Sequence, residues 1–331
     1  MEIRRANPAD RPAVLELISR VWEDDYIHYC WDEWVENAAG GVPLVALHEG
    51  RLVGIAYIHW LNERVSWHQA LRVDPDARRL GIGTALGQAC LREARAHGRQ
   101  LARLLVDADN TPSLRMTARL GFEKVQHWYE LAKSDLSDQG PELREPTAAE
   151  LPLLLRLAES QGERYWHSDW ETHDLSLSAL QQARAKGCLR VLAAAPPAAV
   201  ADINIEGDGD CTVGALVGDL EVVRRLVRGL EREVSSKGLA PLRILQTKDS
   251  PHLRLLVDEL DYELREGEGL TIWEYDLSAH HPAAPADPGR SDLQSLADPR
   301  GHGQGGTDSE EAPSVCVQKN AAHGQQRQPG Q

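Results

Sequence analysis

The residues best suited to chemistry lie in one short segment, where two arginines precede two closely spaced glycines. The segment Arg78-Arg79-Leu80-Gly81-Ile82-Gly83-Thr84 follows an apolar strand that ends at Val73, and a helix is predicted to begin near Gly83. Because glycine has no side chain, backbone N–H groups can approach an anion closely, and a helix N-terminus adds the positive end of its dipole. Arginine adds permanent charge that matches phosphate oxygens. The segment therefore predicts a pyrophosphate-binding loop.

Two better-known phosphate motifs do not fit these residues. No Gly-Lys-Ser/Thr follows, which excludes a Walker loop, and the dinucleotide fingerprint requires a third glycine where Leu86 stands. Two alternatives stay open on the residues alone. One is a tight turn that is merely capped by arginines, and the other is an unrelated nucleotide-binding domain at Gly81-x-Gly83.

The elements that must position this loop follow in the order β-α-α-β-β-β-α-β-α-β. The strands are predicted from hydrophobic patterning at residues 3–5, 42–48, 52–60, 63 or 64 to 73, 101–106 and 122–131. The helix after the loop is predicted to end at Gly98, since glycine suits the left-handed position after a helix. A second helix is predicted to begin at Thr111-Pro112 and to end at Leu120-Gly121.

Two motifs in this order resemble the GNAT superfamily of N-acetyltransferases. Arg78-x-x-Gly81-x-Gly83 is similar to the acetyl-CoA loop of that family, and Leu71-x-Val73 stands where its preceding strand ends. Downstream, Asn110-x-x-Ser113 followed by Leu120-Gly121-Phe122 is similar to its second motif. The resemblance covers residues 1–137 and implies an α/β fold, a splayed mixed sheet flanked by helices. It also implies an acetyl-CoA-dependent N-acetyltransferase that acts on an amine of a small molecule, peptide or protein.

The resemblance assigns a role to each residue of these motifs. The backbone at Leu71 and Val73 would pair with the pantetheine amides of acetyl-CoA, and an N–H of Val73 or a neighbour would stabilise the oxyanion. Asn110 and Ser113 would contact the pantetheine arm. The residues that would hold the pyrophosphate are Arg78, Arg79, Leu80, Gly81, Ile82, Gly83 and Thr84. No metal is expected.

The general acid departs from the family pattern. Thr117 stands where the family often has a tyrosine that protonates the leaving thiolate, and its hydroxyl is too weak an acid to replace one. Ser113, water or a tyrosine elsewhere are the alternatives. The departure leaves open that the protein binds CoA without turnover, as a non-catalytic CoA-binding or interaction protein.

The general base departs in the same way. Trp67 and Gln69 stand where the family often has a glutamate or histidine, and neither accepts a proton. His68 lies between them, and strand alternation should turn it to the other face. We predict His68 as the base, with no base at all as the main alternative because proximity supplies much of the acceleration. The further candidates are His59, Glu63 and Asp107.

The chain then repeats itself, which predicts a tandem arrangement. Arg4 and Pro12 correspond to Arg144 and Pro152, and Asn110-Thr111-Pro112 corresponds to Asp249-Ser250-Pro251. The predicted domains are residues 1–137, which bind CoA, and residues 141–277, a degenerate GNAT-like copy. The second copy lacks the arginines, and Asp219 and Glu221 place carboxylates where phosphates would sit. A role as scaffold, acceptor-site lid or dimer surface is expected, so a homodimer is possible.

Composition sets broader limits. The formal net charge of -15 argues against nucleic acid or an anionic membrane as a partner. An odd number of cysteines without a Cys-x-x-Cys pair, and no apparent signal peptide, favour a cytoplasmic protein with reduced thiols. The segment from Trp22 to Trp34 is rich in aromatic and acidic residues and suits either an acceptor-site wall for an ammonium group or a buried helix pair. Residues 278–331 are expected to be a disordered tail.

Overall fold

The chain forms two α/β halves, and the elements of the N-terminal half follow one another in the predicted order. The computed structural model describes residues 1–22, 24–194, 196–205 and 211–279. The predicted disordered tail lies outside the described residues apart from Ser278 and Ala279.

The N-terminal half has the elements β1 (Glu2–Arg5), α1 (Arg11–Ser19), α2 (Ile27–Glu36), β2 (Gly41–His48), β3 (Arg51–Trp60), β4 (Val65–Val73), α3 (Ile82–Ala96), β5 (Leu101–Asp107), α4 (Thr111–Arg119) and β6 (Glu123–Lys133). The C-terminal half has the elements β7 (Leu143–Arg144), α5 (Leu151–Ser160), β8 (Tyr165–Ser168), β9 (Glu171–Asp174), α6 (Leu177–Ala185), β10 (Leu189–Leu192), β11 (Ala199–Ile205), β12 (Cys211–Gly218), α7 (Leu220–Ser236), β13 (Leu242–Thr247), α8 (Pro251–Arg254) and β14 (Glu263–Asp276).

Twelve strands of the described residues form one continuous sheet, and the two halves exchange their last strands. The order is β1-β2-β3-β4-β5-β14-β6-β13-β12-β11-β10-β7. The last strand of the C-terminal half, β14, lies between β5 and β6, and β6 in turn pairs with β13. Each half therefore completes its sheet with a strand of the other, whereas the repeat in the sequence suggests two sheets that are consecutive in the chain.

The helix after the glycine loop forms because one of its faces is apolar. Ile82, Leu86, Ala89 and Cys90 are buried on that face and pack against β2 and β3. The helix is followed by Gly98 in the left-handed conformation (φ 72°), as predicted.

The repeat is visible in matching side-chain contacts. Arg4 makes a two-pronged contact with Asp10 (both distances 2.7 Å), and Arg144 makes the same contact with Glu150 (2.7 and 2.8 Å). In each half this pair fixes the turn that leads from the first strand into the first helix.

The halves differ most after their first helix. Between the first helix and the next strand of the large sheet, the N-terminal half has only α2, whereas the C-terminal half has the β8–β9 hairpin, a separate two-stranded sheet, followed by α6. Arg103 of β5 donates to the carbonyl of Thr172 (2.7 Å) and contacts Asp174, so the hairpin is attached to the N-terminal half. In the part of the chain that the structure describes, no helix combines the length and apolar character needed to cross a membrane.

Candidate active site

The candidate active site begins where the sheet opens between β4 and β5. These parallel strands pair only at Val65 with Leu101, Ser66 with Ala102 and Trp67 with Arg103. Past that point β4 continues to Val73 without β5 beside it, while β5 stays paired with β14 as far as Asp107. The opening leaves one edge of β4 without a strand partner.

A bulge in β4 lies beside this gap. Ile55 of β3 faces Arg72 and Tyr57 faces Gln69, so β4 has an extra residue in between. Ala70 there has a φ of 59°, which is unusual for a residue other than glycine and is typical of a bulge. The bulge changes the direction in which the following peptide groups point.

Backbone polar groups of β4 point into the gap. The N–H of Asp74 donates to the carbonyl of Val53 on β3 (2.9 Å). Because peptide groups alternate in direction along a strand, the N–H and C=O of Val73 point the other way, toward the gap. The side chains of Leu71 and Val73 pack toward the start of α3. An extended amide chain in the gap can pair with this edge.

The glycine loop closes the end of the gap. Arg79 and Gly81 have left-handed backbone conformations (φ 66° and 80°), which turn the chain sharply before α3 begins at Ile82. A Cβ atom at Gly83 would lie 3.0 Å from Sδ of Met116 on α4, so glycine permits the close approach of the two helices.

The loop offers donors that nothing in the protein uses. Within the described residues, none of the backbone N–H groups of residues 79–84 donates to another group. Arg78 and Arg79 are exposed, and no carboxylate of the described chain pairs with either guanidinium. Unsatisfied N–H groups at a helix N-terminus and arginines without a carboxylate partner are the features that suit an anion.

The entry to the loop is fixed by a buried carboxylate. Asp74 accepts hydrogen bonds from Arg20 (2.8 Å) and Arg51 (3.0 Å), and its other oxygen accepts from the N–H of Asp76 (2.9 Å). Its side chain is 3% exposed. The loop is therefore held in place before any ligand arrives.

The second predicted motif lies at the start of α4. Asn110 is the N-cap residue, and its Oδ1 accepts from the backbone N–H of Ser113 (3.2 Å). Both side chains are half-buried, whereas Thr117, about one turn further along, is buried. Asn110 thus has a structural role that the motif alone does not reveal.

His68 lies on the α3 side of the sheet, as strand alternation predicts. Its Nε2 is 3.1 Å from Oγ of Ser66, which itself donates to the carbonyl of Leu101 (3.1 Å). The ring packs edge-on against Phe122. Burial lowers the pKa of His68 to about 3, so the imidazole is neutral at physiological pH.

The other candidates for the base lie in three different places. Glu63 is exposed in the turn between β3 and β4, and Asp107 is exposed at the end of β5, across the gap from β4. His59 lies on the face opposite α3, where its Nδ1 is 2.6 Å from Oε1 of Glu171 in the hairpin. Sequence reasoning did not single out Glu171.

The aromatic segment before β2 is mostly structural. Trp31 and Trp34 are buried, and Trp34 stacks on Tyr57 of β3 (centroids 4.1 Å apart). Trp22 is exposed, and the guanidinium of Arg72 lies 4.1 Å from its ring centroid. The segment contributes a buried helix and one wall next to β3 and β4.

The corresponding site in the C-terminal half is altered as predicted. Only Asp219 separates β12 from α7, so the half has no loop, and Oδ1 of Asp219 accepts from the N–H of Glu221 (3.0 Å). A cleft of about 560 Å³ lies between α7 and α8. Arg224 spans it through ion pairs with Glu221 and Glu259. The carboxylates occupy the helix N-terminus and neutralise this arginine.

Sequence comparisons identify relatives of the N-terminal half. Residues 11–122 match the acetyltransferase (GNAT) family. A mycothiol acetyltransferase of Saccharomonospora viridis is 35% identical over 103 residues, which cover 29% of this chain and 33% of that protein. A phosphinothricin N-acetyltransferase of Streptomyces viridochromogenes is 28% identical over 135 residues, covering 37% of this chain and 74% of that protein. The chain thus matches about a third of the length of the mycothiol enzyme.

Solved structures resemble the whole chain. A crystal structure of an acetyltransferase from Thermoplasma acidophilum has a TM-score of 0.56 at 20% identity and covers 83% of this chain and 100% of its own. A tandem GNAT protein of the clavulanic acid biosynthesis pathway has a TM-score of 0.56 at 15% identity, and the match covers 86% of this chain and 99% of that protein. At these identities the similarity is one of fold. Residues 11–122 thus match the acetyltransferase (GNAT) family, and the chain has the fold of a tandem GNAT protein.

Proposed function

We propose that the protein is an acetyl-CoA-dependent N-acetyltransferase whose active site lies in the N-terminal half. The observation that carries the proposal is the set of unused N–H groups at residues 79–84, next to two unpaired arginines and beside a gap in the sheet. A pyrophosphate suits the loop, and a narrow amide chain such as pantetheine suits the edge of β4. Acetyl-CoA contains both, joined in that order.

The reaction follows from where the thioester would lie. Pairing of the pantetheine amides with the backbone at Leu71 and Val73 places the acetyl group near the bulge at Ala70. A backbone N–H of this part of β4 then stabilises the oxyanion when the acceptor amine attacks the carbonyl carbon; such donors contribute roughly 3–4 kcal/mol. The C–N bond forms, the C–S bond breaks and the CoA thiolate leaves.

Proton transfer has two sequence-predicted participants. Ser113, at the start of α4, would protonate the thiolate or position a water that does so. His68 is the base that the sequence predicts, and it could accept the proton only of an amine that approaches on the α3 side of β4. The acceptor is an amine of a small molecule, peptide or protein, acting in the cytoplasm, and the degenerate half provides a scaffold or a dimer surface.

The test is thiol release from acetyl-CoA in the presence of a broad panel of amines. Amine-dependent release that disappears in Arg78→Ala/Arg79→Ala would support an N-acetyltransferase. Binding of acetyl-CoA without turnover on any amine would favour the rival, a non-catalytic CoA-binding protein, for which the replacement of the usual tyrosine by Thr117 is the specific argument. Competition by ATP but not by CoA would indicate a nucleotide-binding domain of another kind.

A further inference from the structure

His59 of the N-terminal half and Glu171 of the C-terminal half form a hydrogen-bonded pair across the two copies. Nδ1 of His59 lies 2.6 Å from Oε1 of Glu171, whose second oxygen lies 3.6 Å from Nε2 of His173. A carboxylate accepts only, so Nδ1 carries the hydrogen and Nε2 of His59 is left as the proton-accepting nitrogen. In the described chain, Nε2 makes no hydrogen bond, and the His59 side chain is 24% exposed.

This pair lies close to the bulged part of β4. On the face opposite α3, His59 is paired with Trp67, which belongs to the last row before β4 and β5 separate. In the next row Tyr57 is paired with Gln69, directly before the bulge. The His59 side chain therefore lies on the face of the sheet that α3 does not cover, one row before the gap opens.

Residues of both halves flank this position. The stacking of Trp34 on Tyr57 holds α2 against β3 on one side. On the other side, the contacts of Arg103 with Thr172 and Asp174 hold the hairpin against β5. His59 contacts the hairpin through Glu171, and 24% of its side chain remains exposed to solvent.

The surroundings of His59 make it more basic than an ordinary histidine. Burial lowers its pKa, but the hydrogen bond and the charge of Glu171 more than offset this, so the pKa is raised above its ordinary value. The positive charge of Lys186, the residue after α6, lowers the pKa of His59, and the negative charge of Glu33 on α2 raises it. His173 and Tyr57 also face this cluster. A proton acceptor works best when its pKa lies near the working pH. His68, with a pKa of about 3, is much less basic.

We propose that Nε2 of His59 accepts the proton that the acceptor amine must lose, with Glu171 as the positioning residue that holds the ring. This inference rests on the proposed N-acetyltransferase activity. The ammonium form of the amine gives one proton to Nε2 and its nitrogen then attacks the thioester carbon. When the C–S bond breaks, the thiolate receives the second proton of the nitrogen, and the imidazolium returns its proton to solvent.

The experiment compares two probe amines with saturating acetyl-CoA. Ethylamine is almost fully protonated at neutral pH, whereas hydroxylamine is largely neutral and needs no proton acceptor. For His59→Gln we expect kcat to fall about 100-fold with ethylamine and to change little with hydroxylamine. His48→Gln, a histidine at the end of β2, is the matched control and should behave like the wild type with both amines.

Glu171→Gln separates positioning from a purely structural role. Removing the carboxylate lowers the pKa of His59, so the rise of kcat with pH should move to lower pH than in the wild type. Equal losses with both amines, or an unchanged pH profile in Glu171→Gln, would overturn the inference while leaving the proposed function intact. If the wild type released no thiol with any amine, the proposed function would fail and this inference with it. Calorimetric binding of acetyl-CoA checks that each variant is folded.

Discussion

Arg103 on β5 donates a hydrogen bond of 2.7 Å to the backbone carbonyl of Thr172, so a central strand of one copy holds the hairpin of the other. The Arg103 side chain is 1% exposed and also contacts Asp174 and Glu274. Its guanidinium lies 5.0 Å from the ring centroid of Tyr165. This arginine therefore links β5 of one half to the hairpin and to β14 of the other.

Replacing Arg103 should be strongly destabilising. Arg103→Met leaves the carbonyl of Thr172 and the part-buried carboxylate of Glu274 without their donor, and a buried polar group that loses its partner costs roughly 1–3 kcal/mol. Arg11→Met is the control, because its partner Asp32 is largely exposed and such pairs contribute less than about 1 kcal/mol. Urea unfolding measures both. Equal losses of unfolding free energy in the two variants would show that the contacts of Arg103 are not important for stability.

The exchanged strands make each half dependent on the other. A fragment of residues 1–137 lacks β14, so β5 and β6 lose the strand that joins them. We expect neither this fragment nor residues 138–279 to unfold cooperatively alone, and a mixture of the two to recover cooperative unfolding. Circular dichroism during denaturation measures this. A folded 1–137 fragment that binds acetyl-CoA would contradict the role assigned to β14.

The two loop arginines should contribute to cofactor affinity through charge. We expect Arg78→Ala and Arg79→Ala each to weaken acetyl-CoA binding about 10-fold, or roughly 1.4 kcal/mol, with a weaker dependence on salt than in the wild type. Arg156→Ala, an exposed arginine of α5, should leave the affinity unchanged. Titration at two salt concentrations measures both effects. Identical affinities in all variants would mean that the loop does not hold the pyrophosphate.

Asp202 should make stability depend on pH near neutrality. Burial raises the pKa of this carboxyl to about 7, although Trp166 (2.7 Å) and Ser168 (3.1 Å) donate to it. The unfolded chain, with a pKa near 3.8, then binds fewer protons than the folded protein between these values. The contribution of Asp202 is therefore complete below about pH 4 and is lost as the pH rises through 7.

Asp202→Asn removes this titration and keeps a side chain of the same shape. We expect the unfolding free energy of the wild type to fall more steeply than that of the variant between about pH 5 and 7.5. Asp32→Asn, at an exposed carboxylate, should follow the wild type. A variant whose stability falls as steeply as that of the wild type would show that Asp202 is not responsible.

Ser113→Ala and His68→Gln test the two groups predicted for proton transfer. If Ser113 protonates the thiolate, its loss should lower kcat about 100-fold with little effect on KM for acetyl-CoA. If His68 is the base, His68→Gln should lower kcat without changing its pH dependence near neutrality, because the imidazole, with a pKa of about 3, is already neutral there. An unchanged kcat in both variants would leave water as the thiolate's proton source. Melting curves control for loss of packing against Phe122.

The local part of the fold was predictable from the sequence because it depends on neighbours in the chain. The turn into α3 needs glycine and arginine at fixed spacing, and the start of α4 needs a capping residue such as Asn110. The buried face of α3 follows from helical periodicity. The contact of Arg4 with Asp10 recurs in the repeat for the same reason.

The long-range part was not predictable in the same way. The alternation of apolar and polar residues along β6 and β14 does not indicate which strand will pair with each, because the strands of both halves have similar edges. The β8–β9 turn is also unusual, since Asp169 and Trp170 adopt left-handed conformations (φ 49° and 60°) without the glycine that normally marks a hairpin. Glu171, which follows that turn, was therefore not recognised as a neighbour of His59.

The central claim is that the glycine loop of the N-terminal half binds acetyl-CoA, and calorimetric titration of Gly81→Asp tests it most directly. Gly81 has a φ of 80°, and a Cβ atom there would meet nothing within 4 Å; Gly162 of the C-terminal half, with a φ of 79°, has the same properties. Gly162→Asp therefore reproduces the backbone strain without placing a carboxylate at the anion site. We predict one site per chain in the wild type and in Gly162→Asp, and no binding in Gly81→Asp. No binding to the wild type, or equal binding to both variants, would contradict the claim.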